Sequence, residues 1–188
     1  MALIDRDRSI LLLIDYQARL MPAIARAAAA VANARLLADA AALHGLPVLI
    51  TEQNPDGLGP TVPELADVGA RIKKMHFGAC AESGFLDALG GRTDVVVAGC
   101  EAHVCVLQTV TGLLEAGRRV FLVRDGLGAR APESKETAIE RLRAAGAAIV
   151  TAEMVAFEWL RTCEHAAFRK TVDLIKARDR AVMPKAVP

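Results

Sequence analysis

The stretch VVVAGCEAHVCVLQTVTGLLEAG, residues 95–117, joins an apolar run to a helical pattern. The run is apolar on consecutive residues, as is a strand that is covered on both faces of a parallel sheet. A helix is predicted over residues 104–116, because a glycine follows and ends it. Cys100, His103 and Cys105 lie at the junction. This placement fits a metal site, a disulfide, ordinary packing, or a nucleophile at the mouth of a sheet.

The rest of the chain repeats the same alternation of short β-rich runs and longer helical patterns. Strands are predicted at residues 9–15, 47–51, 70–75, 94–99, 119–125 and 147–151. Helices are predicted at residues 23–45, 82–91, 104–116, 133–145, 153–160 and 164–177. Repeated βα units form a parallel sheet with helices on both faces. The sequence therefore predicts a three-layer α/β fold with a mainly parallel sheet of about six strands.

Length and composition set limits on the class of protein. The 188 residues are 53% hydrophobic and 24% charged, which is typical of one well-packed globular domain. No internal repeat or linker divides the sequence, so we expect a single domain over residues 1–188. Its last stretch, RDRAVMPKAVP at residues 178–188, is predicted to fray or to contact a neighbouring subunit.

Net charge and cysteine content indicate which classes of partner and which cellular compartment to expect. A net charge of +1 gives no electrostatic footprint for nucleic acid or for an acidic membrane surface. The apolar run at residues 10–14 is far too short to span a bilayer, and charged residues before it argue against a secretory signal. Four cysteines are too few for a disulfide scaffold, so we expect a reducing, cytoplasmic setting.

Polar residues follow several of the predicted strands, at the edge where chemistry gathers in parallel sheets. Asp15 follows the first strand, Lys74 lies at the end of the third, and Cys105 comes shortly after the fourth. Taken singly, Asp15 could serve only as a helix cap, and Lys74 could be a solvated surface charge. Taken together, an acid, a lysine and a cysteine at three strand ends could converge on one site.

A metal site or a disulfide explains the two junction cysteines poorly. Structural zinc sites use a second close pair of ligands, and the remaining cysteines and histidines are scattered. Those residues are His44, His76, Cys80, Cys163 and His165. A disulfide between Cys100 and Cys105 is not expected in a reducing compartment. We therefore expect no metal, and we interpret Cys80, Cys100 and Cys163 as packing or surface residues.

Cys105 differs from the other cysteines by its position. It is predicted to lie near the start of a helix, where unpaired N–H groups and the helix dipole favour a thiolate. The same N–H groups can bind a developing oxyanion. A nucleophile also needs a proton acceptor and a stabilising cation, which Asp15 and Lys74 could provide. His103 is nearer in sequence, but its side chain is predicted to point elsewhere.

Three motifs are similar to those of the isochorismatase-like cysteine hydrolase superfamily. They are LLLIDYQ at residues 11–17, IKKMHFGA at residues 72–79, and VAGCEAHVCVLQTVTGLLEAGRRVFLVRDGLGAR at residues 97–130. The resemblance covers about residues 9–175 and implies a strand order of the Rossmann type. Dinucleotide binding is not expected, since no G-x-G-x-x-G follows the first strand.

The resemblance also implies a catalytic apparatus. Asp15, Lys74 and Cys105 correspond to the catalytic residues of the superfamily. A cis peptide would join Cys100 to Glu101, and the backbone N–H groups of Glu101 and Cys105 would form an oxyanion hole. The implied reaction is hydrolysis of a small molecule, most plausibly at an amide-type C–N bond, through a thioester on Cys105.

Two departures narrow the resemblance further. Nicotinamidases of the superfamily bind a metal through an Asp-x-His loop, whereas TEQNPDGLGPTVPEL at residues 51–65 contains no histidine. True isochorismatases, which cleave a vinyl ether, lack the cysteine. The sequence is most similar to the metal-free, YcaC-like subgroup of isochorismatase-domain-containing hydrolases. No cofactor is expected, and the substrate is undefined.

Family position also suggests which residues line the pocket and where subunits meet. The candidate pocket residues are Gln17, Leu20, Gln53, Phe77 and His103. The alanine-rich stretch AIARAAAAVANA at residues 23–34, together with Phe157 and Trp159, suggests a subunit interface, and packing within the chain explains these stretches nearly as well. The implied partners are a small-molecule substrate and further copies of the chain in a dimer or larger homo-oligomer. No nucleic acid or membrane partner is expected.

Two functions of other classes compete with the hydrolase. The protein could be a redox sensor, in which Cys100 resolves an oxidised Cys105. It could also be an oligomeric scaffold that has lost catalysis. A Cys100 that faces the core would be unable to reach Cys105, and a scaffold has no reason to keep acid, lysine and thiol at matching strand ends. The hydrolase is therefore the preferred hypothesis.

Overall fold

The computed structural model describes residues 3–182. Its six strands are β1 (Ser9–Ile14), β2 (Val48–Gln53), β3 (Ala70–Lys74), β4 (Asp94–Cys100), β5 (Arg119–Gly128) and β6 (Ala148–Val150). Its helices are α1 (Ala27–Leu43), α2 (Pro55–Leu58), α3 (Phe85–Ala88), α4 (Leu107–Glu115), α5 (Pro132–Ala144), α6 (Ala152–Leu160) and α7 (Phe168–Val182).

The strands form one sheet in the order β3-β2-β1-β4-β5-β6, and every neighbouring pair is parallel. This is the doubly wound order, which changes direction between β1 and β4. The predicted three-layer α/β fold, its six parallel strands and the Rossmann-type order are confirmed. Asp15 and Cys105 thus follow the two adjacent strands at the switch point.

The two central strands are apolar on consecutive residues because both of their faces are covered. Leu11 and Leu13 face a hydrophobic cluster that includes side chains of α1 and α6. Ile10 and Leu12 face a second cluster, to which α4 and α5 contribute. All six residues of β1 and all seven of β4 are buried, so both faces of the sheet are covered up to the point where these strands end.

Some element bounds differ from the predicted ones. Helix α1 begins at Ala27 rather than at residue 23, since Arg26 adopts a left-handed conformation with φ 57°. The helix predicted over residues 82–91 is the single turn α3. Strand β5 continues to Gly128, because its pairing with β4 shifts register between Val97 and Gly99.

Helix α7 continues five residues beyond its predicted end at residue 177. Arg178 explains the extension, since its guanidinium donates a 2.6 Å hydrogen bond to Asn33 on α1 and lies 3.3 Å from Glu153 on α6. The first part of the predicted tail is therefore helical. Residues 183–188 lie outside the described residues, so the rest of the tail and the single domain over 1–188 stay predictions.

The two aromatic residues proposed for an interface have different environments. Trp159 is 0% exposed, and its indole N–H donates to Ser9 Oγ at 3.3 Å. The expectation that Trp159 lies at a subunit interface is wrong, because the inner face of α6 packs on the sheet. Phe157, on the outer face, remains 41% exposed. Along residues 3–182, no helix has both the length and the apolar character needed to cross a membrane.

His44, which follows α1, makes stability depend on pH. Burial lowers its pKa, and the neighbouring His165 and Arg6 lower it further. The His44 and His165 rings lie 5.0 Å apart, and Arg6 Nη1 lies 2.8 Å from His165 Nε2. The folded state therefore resists protonation of His44, whereas the unfolded chain binds that proton near its ordinary pKa of about 6.5.

Because the pKa of His44 is lower in the folded state than in the unfolded chain, acid should destabilise the protein. The free energy of unfolding should decrease as pH falls from 7.5 to about 5, since the unfolded state then binds more protons. Urea denaturation of wild type and His44→Gln at both pH values measures the effect. The variant should lose less stability on acidification than wild type, and an equal or larger loss would contradict the assignment to His44.

Candidate active site

Asp15 stands directly after β1 in a left-handed conformation with φ 54°. Its backbone N–H donates to Thr51 O at 3.1 Å, and its Oδ1 accepts a 2.7 Å hydrogen bond from the Thr51 hydroxyl. The carboxylate is fully buried. Because it faces Thr51 and Lys74, its role is not that of a helix cap.

Lys74 is the last residue of β3 and is only 1% exposed, so it is not a solvated surface charge. Its Nζ lies 2.8 Å from Asp15 Oδ2. It also donates to Gln53 Oε1 at 2.6 Å and to the Phe77 carbonyl at 3.1 Å. A buried ammonium needs such partners, since desolvation of an unpaired charge costs several kcal/mol. Strand β2, which carries Gln53, separates β3 from β1, and the long lysine side chain spans this distance to reach Asp15.

Cys105 lies in a π-helical turn, Ala102–Val106, between β4 and α4. Such turns are rare and are frequent at functional sites. The thiol is 7% exposed, and its Sγ lies 4.0 Å from Gln53 Oε1. The predicted helix over residues 104–116 thus begins as a wider turn, which presents Cys105 to the ends of the neighbouring strands.

The charge state of Cys105 differs from the sequence-based expectation. Burial raises the pKa of the thiol to about 12, the charge of Asp15 raises it further, and Lys74 opposes both effects. At neutral pH the sulfur is therefore protonated, whereas the helix start was expected to favour a thiolate. Asp15 Oδ2 lies 2.8 Å from Lys74 Nζ, and a carboxylate oxygen has a further lone pair that can accept the thiol proton.

Close contact between β1 and β4 brings the acid and the thiol together. A Cβ at Gly99 would lie 2.5 Å from the Ile14 Cβ and 2.6 Å from the Ile14 carbonyl oxygen. Real Cβ atoms do not approach so closely, so only glycine allows the two strands to end at this separation. Asp15 and the turn that carries Cys105 follow immediately.

Cys100, the other junction cysteine, serves packing. It is fully buried, its peptide bond to Glu101 is cis, and burial raises the pKa of its thiol to about 12. A Cβ at Gly128 would lie 2.6 Å from its Sγ. Cys100 belongs to the hydrophobic cluster on the α1 face of the sheet, whereas Cys105 belongs to the cluster on the α4 face.

Two predicted pocket residues are joined by reciprocal hydrogen bonds under the site. Gln53 N donates to Gln17 Oε1 at 2.8 Å, and Gln17 Nε2 donates back to Gln53 O at 3.0 Å. Both side chains are buried. Gln17 thereby fixes the backbone of Gln53, whose side chain reaches both Lys74 and Cys105. Of the predicted pocket residues, Gln53 is thus one that the structure places against the thiol, with its Oε1 4.0 Å from Cys105 Sγ.

The other three predicted pocket residues lie in different places. The Phe77 side chain is 52% exposed, while its carbonyl binds Lys74. His103 is partly buried, and its Nδ1 has no hydrogen-bond partner among residues 3–182. Leu20 packs against the cluster on the α1 face, away from the cluster that contains Cys105.

Sequence reasoning missed two residues that support the site. Thr51 holds the Asp15 carboxylate, and it pairs in register with Ile14, so the alignment of β1 and β2 could have indicated it. Glu82 binds the backbone N–H groups of Met75 and His76, and no sequence motif signals it.

Among residues 3–182, no three His, Cys, Asp or Glu side chains group as metal ligands. The absence of a metal stays a prediction.

A family model and a curated relative both match most of this chain, and both carry the isochorismatase domain. The model of the isochorismatase domain matches residues 9–154. Isochorismatase domain-containing protein 2 of Danio rerio is 35% identical over 170 residues, which cover 89% of this chain and 86% of the relative.

Solved structures share the whole fold. The MAR1 ribonuclease of Caenorhabditis elegans superposes with a TM-score of 0.89 at 31% identity, and the match covers 100% of both chains. YcaC of Escherichia coli, an octameric hydrolase of unknown specificity, superposes with a TM-score of 0.81 at 25% identity. That match covers 98% of this chain and 92% of YcaC.

Proposed function

The chain belongs to the isochorismatase family, and on this basis we propose that it hydrolyses a small amide-type substrate through a thioester on Cys105. Membership confirms the resemblance of the three motifs and makes the protein an isochorismatase-family hydrolase. The observation that carries the proposal is the buried ion pair of Asp15 and Lys74, 2.8 Å apart, beside the Cys105 thiol.

Proton transfer is the first step of the mechanism. Because the thiol pKa is raised to about 12, Cys105 needs a base at neutral pH, and Asp15 takes its proton. The Lys74 ammonium lies against the Asp15 carboxylate and donates to the Gln53 side-chain oxygen and to the Phe77 carbonyl, which hold it in the site. The thiolate that forms is stabilised by this adjacent positive charge.

The acyl-transfer steps follow. The thiolate attacks the carbonyl carbon, and the backbone N–H groups of Glu101 and Cys105 bind the oxyanion. The C–N bond then breaks, Asp15 gives its proton to the leaving nitrogen, and a thioester remains on Cys105. Water, deprotonated by Asp15, attacks the thioester and releases the carboxylic acid. The proton returns to the sulfur, so the enzyme ends each cycle unchanged.

The surroundings of the two thiols support a hydrolase over a redox sensor. A sensor needs a resolving cysteine near the reactive one. Cys100 packs into the cluster on the opposite face of the sheet from Cys105, and its raised pKa keeps it protonated. A disulfide between them would require the turn after β4 to rearrange. An inactive scaffold would not explain why Asp15 and Lys74 form a buried ion pair beside Cys105.

RNA cleavage is the second candidate, because of the likeness to the MAR1 ribonuclease over both full chains. The net charge of +1 and the 7% exposure of Cys105 favour a small substrate over a polyanion.

The octameric state of Escherichia coli YcaC supports a homo-oligomer here too. The alanine-rich groove between α1 and α7, about 640 Å³ in volume, is a suitable interface. The cytoplasmic location stays a prediction.

Trapping the acyl-enzyme tests the proposal. Small amides, ureides and carbamates are screened for turnover, with single-stranded RNA in parallel. Acid-quenched samples of each active substrate are then digested and analysed by mass spectrometry. We expect an acyl mass on the peptide that contains Cys105, removable by hydroxylamine, and none on exposed Cys163. Cleavage of RNA alone, or turnover with the acyl group on another residue, would contradict the proposal.

A further inference from the structure

Residues 75–77, which follow β3, form a segment whose apolar side chains do not anchor it. Met75 is 67% exposed and Phe77 52% exposed. The backbone is held by polar contacts instead. The N–H groups of Met75 and His76 donate to Glu82 Oε1 at 2.7 and 2.8 Å, and the Met75 carbonyl accepts from Gln53 Nε2 at 2.8 Å.

The inner side of the segment faces the Lys74 ammonium. The carbonyls of Phe77 and His76 accept from Nζ at 3.1 and 3.4 Å. With Asp15 Oδ2 and Gln53 Oε1 at 2.8 and 2.6 Å, they place four oxygens around the nitrogen. Two of these four ligands thus depend on the position of a segment that its own side chains leave unanchored.

Glu82 stands on a rigid base. The short turn before it begins at buried Ala79, whose N–H donates to Thr109 Oγ1 on α4 at 3.0 Å. Glu82 N donates to Ala79 O at 2.9 Å, and its carbonyl accepts from the N–H of buried Phe85 at 3.2 Å. The carboxylate therefore connects the 75–77 segment to α4 and the core.

The charge of Glu82 is secured by the contacts that it makes. The N–H groups of His76 and Met75, followed by the His76 ring, lower the pKa of the carboxyl to about 2. The His76 Nδ1 lies 3.0 Å from the same Oε1. Glu82 is thus an anion at every pH at which the enzyme would work. A charged acceptor binds two N–H groups more strongly than a neutral one does.

We propose that Glu82 is a positioning residue, which holds the 75–77 segment so that its carbonyls keep the Lys74 ammonium beside Asp15 and Cys105. The inference rests on the proposed function for the catalytic role of Lys74, although the geometry of the contact stands without it. Glu82 touches no reacting atom. It acts through the backbone of Met75 and His76 and then through Lys74.

Loss of this carboxylate has a specific electrostatic consequence. Lys74 lowers the pKa of Cys105 against burial and against Asp15. Once the segment is loose, the ammonium loses two carbonyl ligands and keeps Asp15 Oδ2 and Gln53 Oε1, so it is held less firmly near the sulfur. The thiolate then becomes harder to form, so the reactivity of Cys105 decreases at any given pH. A purely structural role would lower stability but leave that reactivity unchanged in the folded protein.

The experiment measures the rate of Cys105 alkylation by iodoacetamide from pH 7 to 10, site by site, by peptide mass spectrometry. Glu82→Ala should react roughly tenfold more slowly than wild type, as for a shift of one pKa unit. Glu82→Gln, which keeps an acceptor oxygen, should recover part of the rate. Glu140→Ala, which changes an exposed glutamate of α5, should match wild type.

Circular dichroism at the assay temperature establishes whether each variant is folded. If Glu82→Ala is unfolded, the comparison with wild type uses Glu82→Gln instead. Equal alkylation profiles for wild type and the folded Glu82 variants would overturn the proposal. On a hydrolysed substrate, we expect a lower kcat with little change in KM. Should no amide-type substrate be turned over, the proposed function would fail, and the alkylation profile would still decide the role of Glu82.

Discussion

Replacing Cys105 by alanine should lower kcat on an amide-type substrate by about four orders of magnitude or more. The reason is that no covalent intermediate can then form, and the acid–base pair and oxyanion hole remain with no nucleophile to serve. Steady-state kinetics on the best substrate of the screen measures the loss. KM should change little, since the sulfur is a small part of the binding surface.

Two controls separate chemistry from folding. Cys163→Ala changes an exposed cysteine and should keep wild-type kinetics. Cys105→Ser keeps nearly the same shape, so it should fold normally and still lose most of its activity, because a hydroxyl is far harder to deprotonate than a thiol. Turnover by Cys105→Ala within about tenfold of wild type would reject nucleophilic catalysis by this residue.

Breaking the buried ion pair should have the largest effect on stability. Lys74→Met leaves the Asp15 carboxylate buried and without its cation, which costs about 3–5 kcal/mol of the free energy of unfolding. The variant should also lose activity, since nothing then opposes the rise in the pKa of Cys105. Urea denaturation at pH 7 measures the free energy of unfolding, and the rate of alkylation by iodoacetamide measures the reactivity of the Cys105 thiol.

The double variant Asp15→Asn with Lys74→Met provides the matched control. It removes both charges, so most of the stability lost in Lys74→Met should return, while activity should stay absent. Recovery would identify an unpaired buried charge as the cause of the loss. A double variant that is no more stable than Lys74→Met would contradict this assignment, because the unpaired charge would then not be the cause of the loss.

Most of the fold could be predicted from the sequence because its signals are local. Strands β1 and β4 are apolar on consecutive residues, which marks burial on both faces, and each is followed by a helical pattern. Element ends were less predictable. Arg26 delays α1 through a left-handed backbone, and Arg178 prolongs α7 through contacts with α1 and α6. Both effects arise from positions distant in the chain or from backbone geometry.

The sequence singled out Asp15, Lys74 and Cys105 as candidates for one site, and the structure places Lys74 beside Asp15, but the charge state of Cys105 was not predicted. Proximity to a helix start suggested a thiolate for Cys105, whereas burial and the charge of Asp15 give a protonated thiol. Trp159 looked like an interface residue, yet the inner face of α6 covers the sheet. Glu82 gave no signal at all, because its partners are backbone groups and any chain sequence carries those.

The sequence by itself determined the parallel sheet and the three strand ends that carry Asp15, Lys74 and Cys105, since hydrophobic periodicity is local and parallel strands end at one edge. Only the tertiary structure decided which polar groups meet there. Close approach at Gly99 sets the distance between β1 and the turn after β4. The charge state of a buried group depends on neighbours from several strands, and that information exists only once the chain is folded.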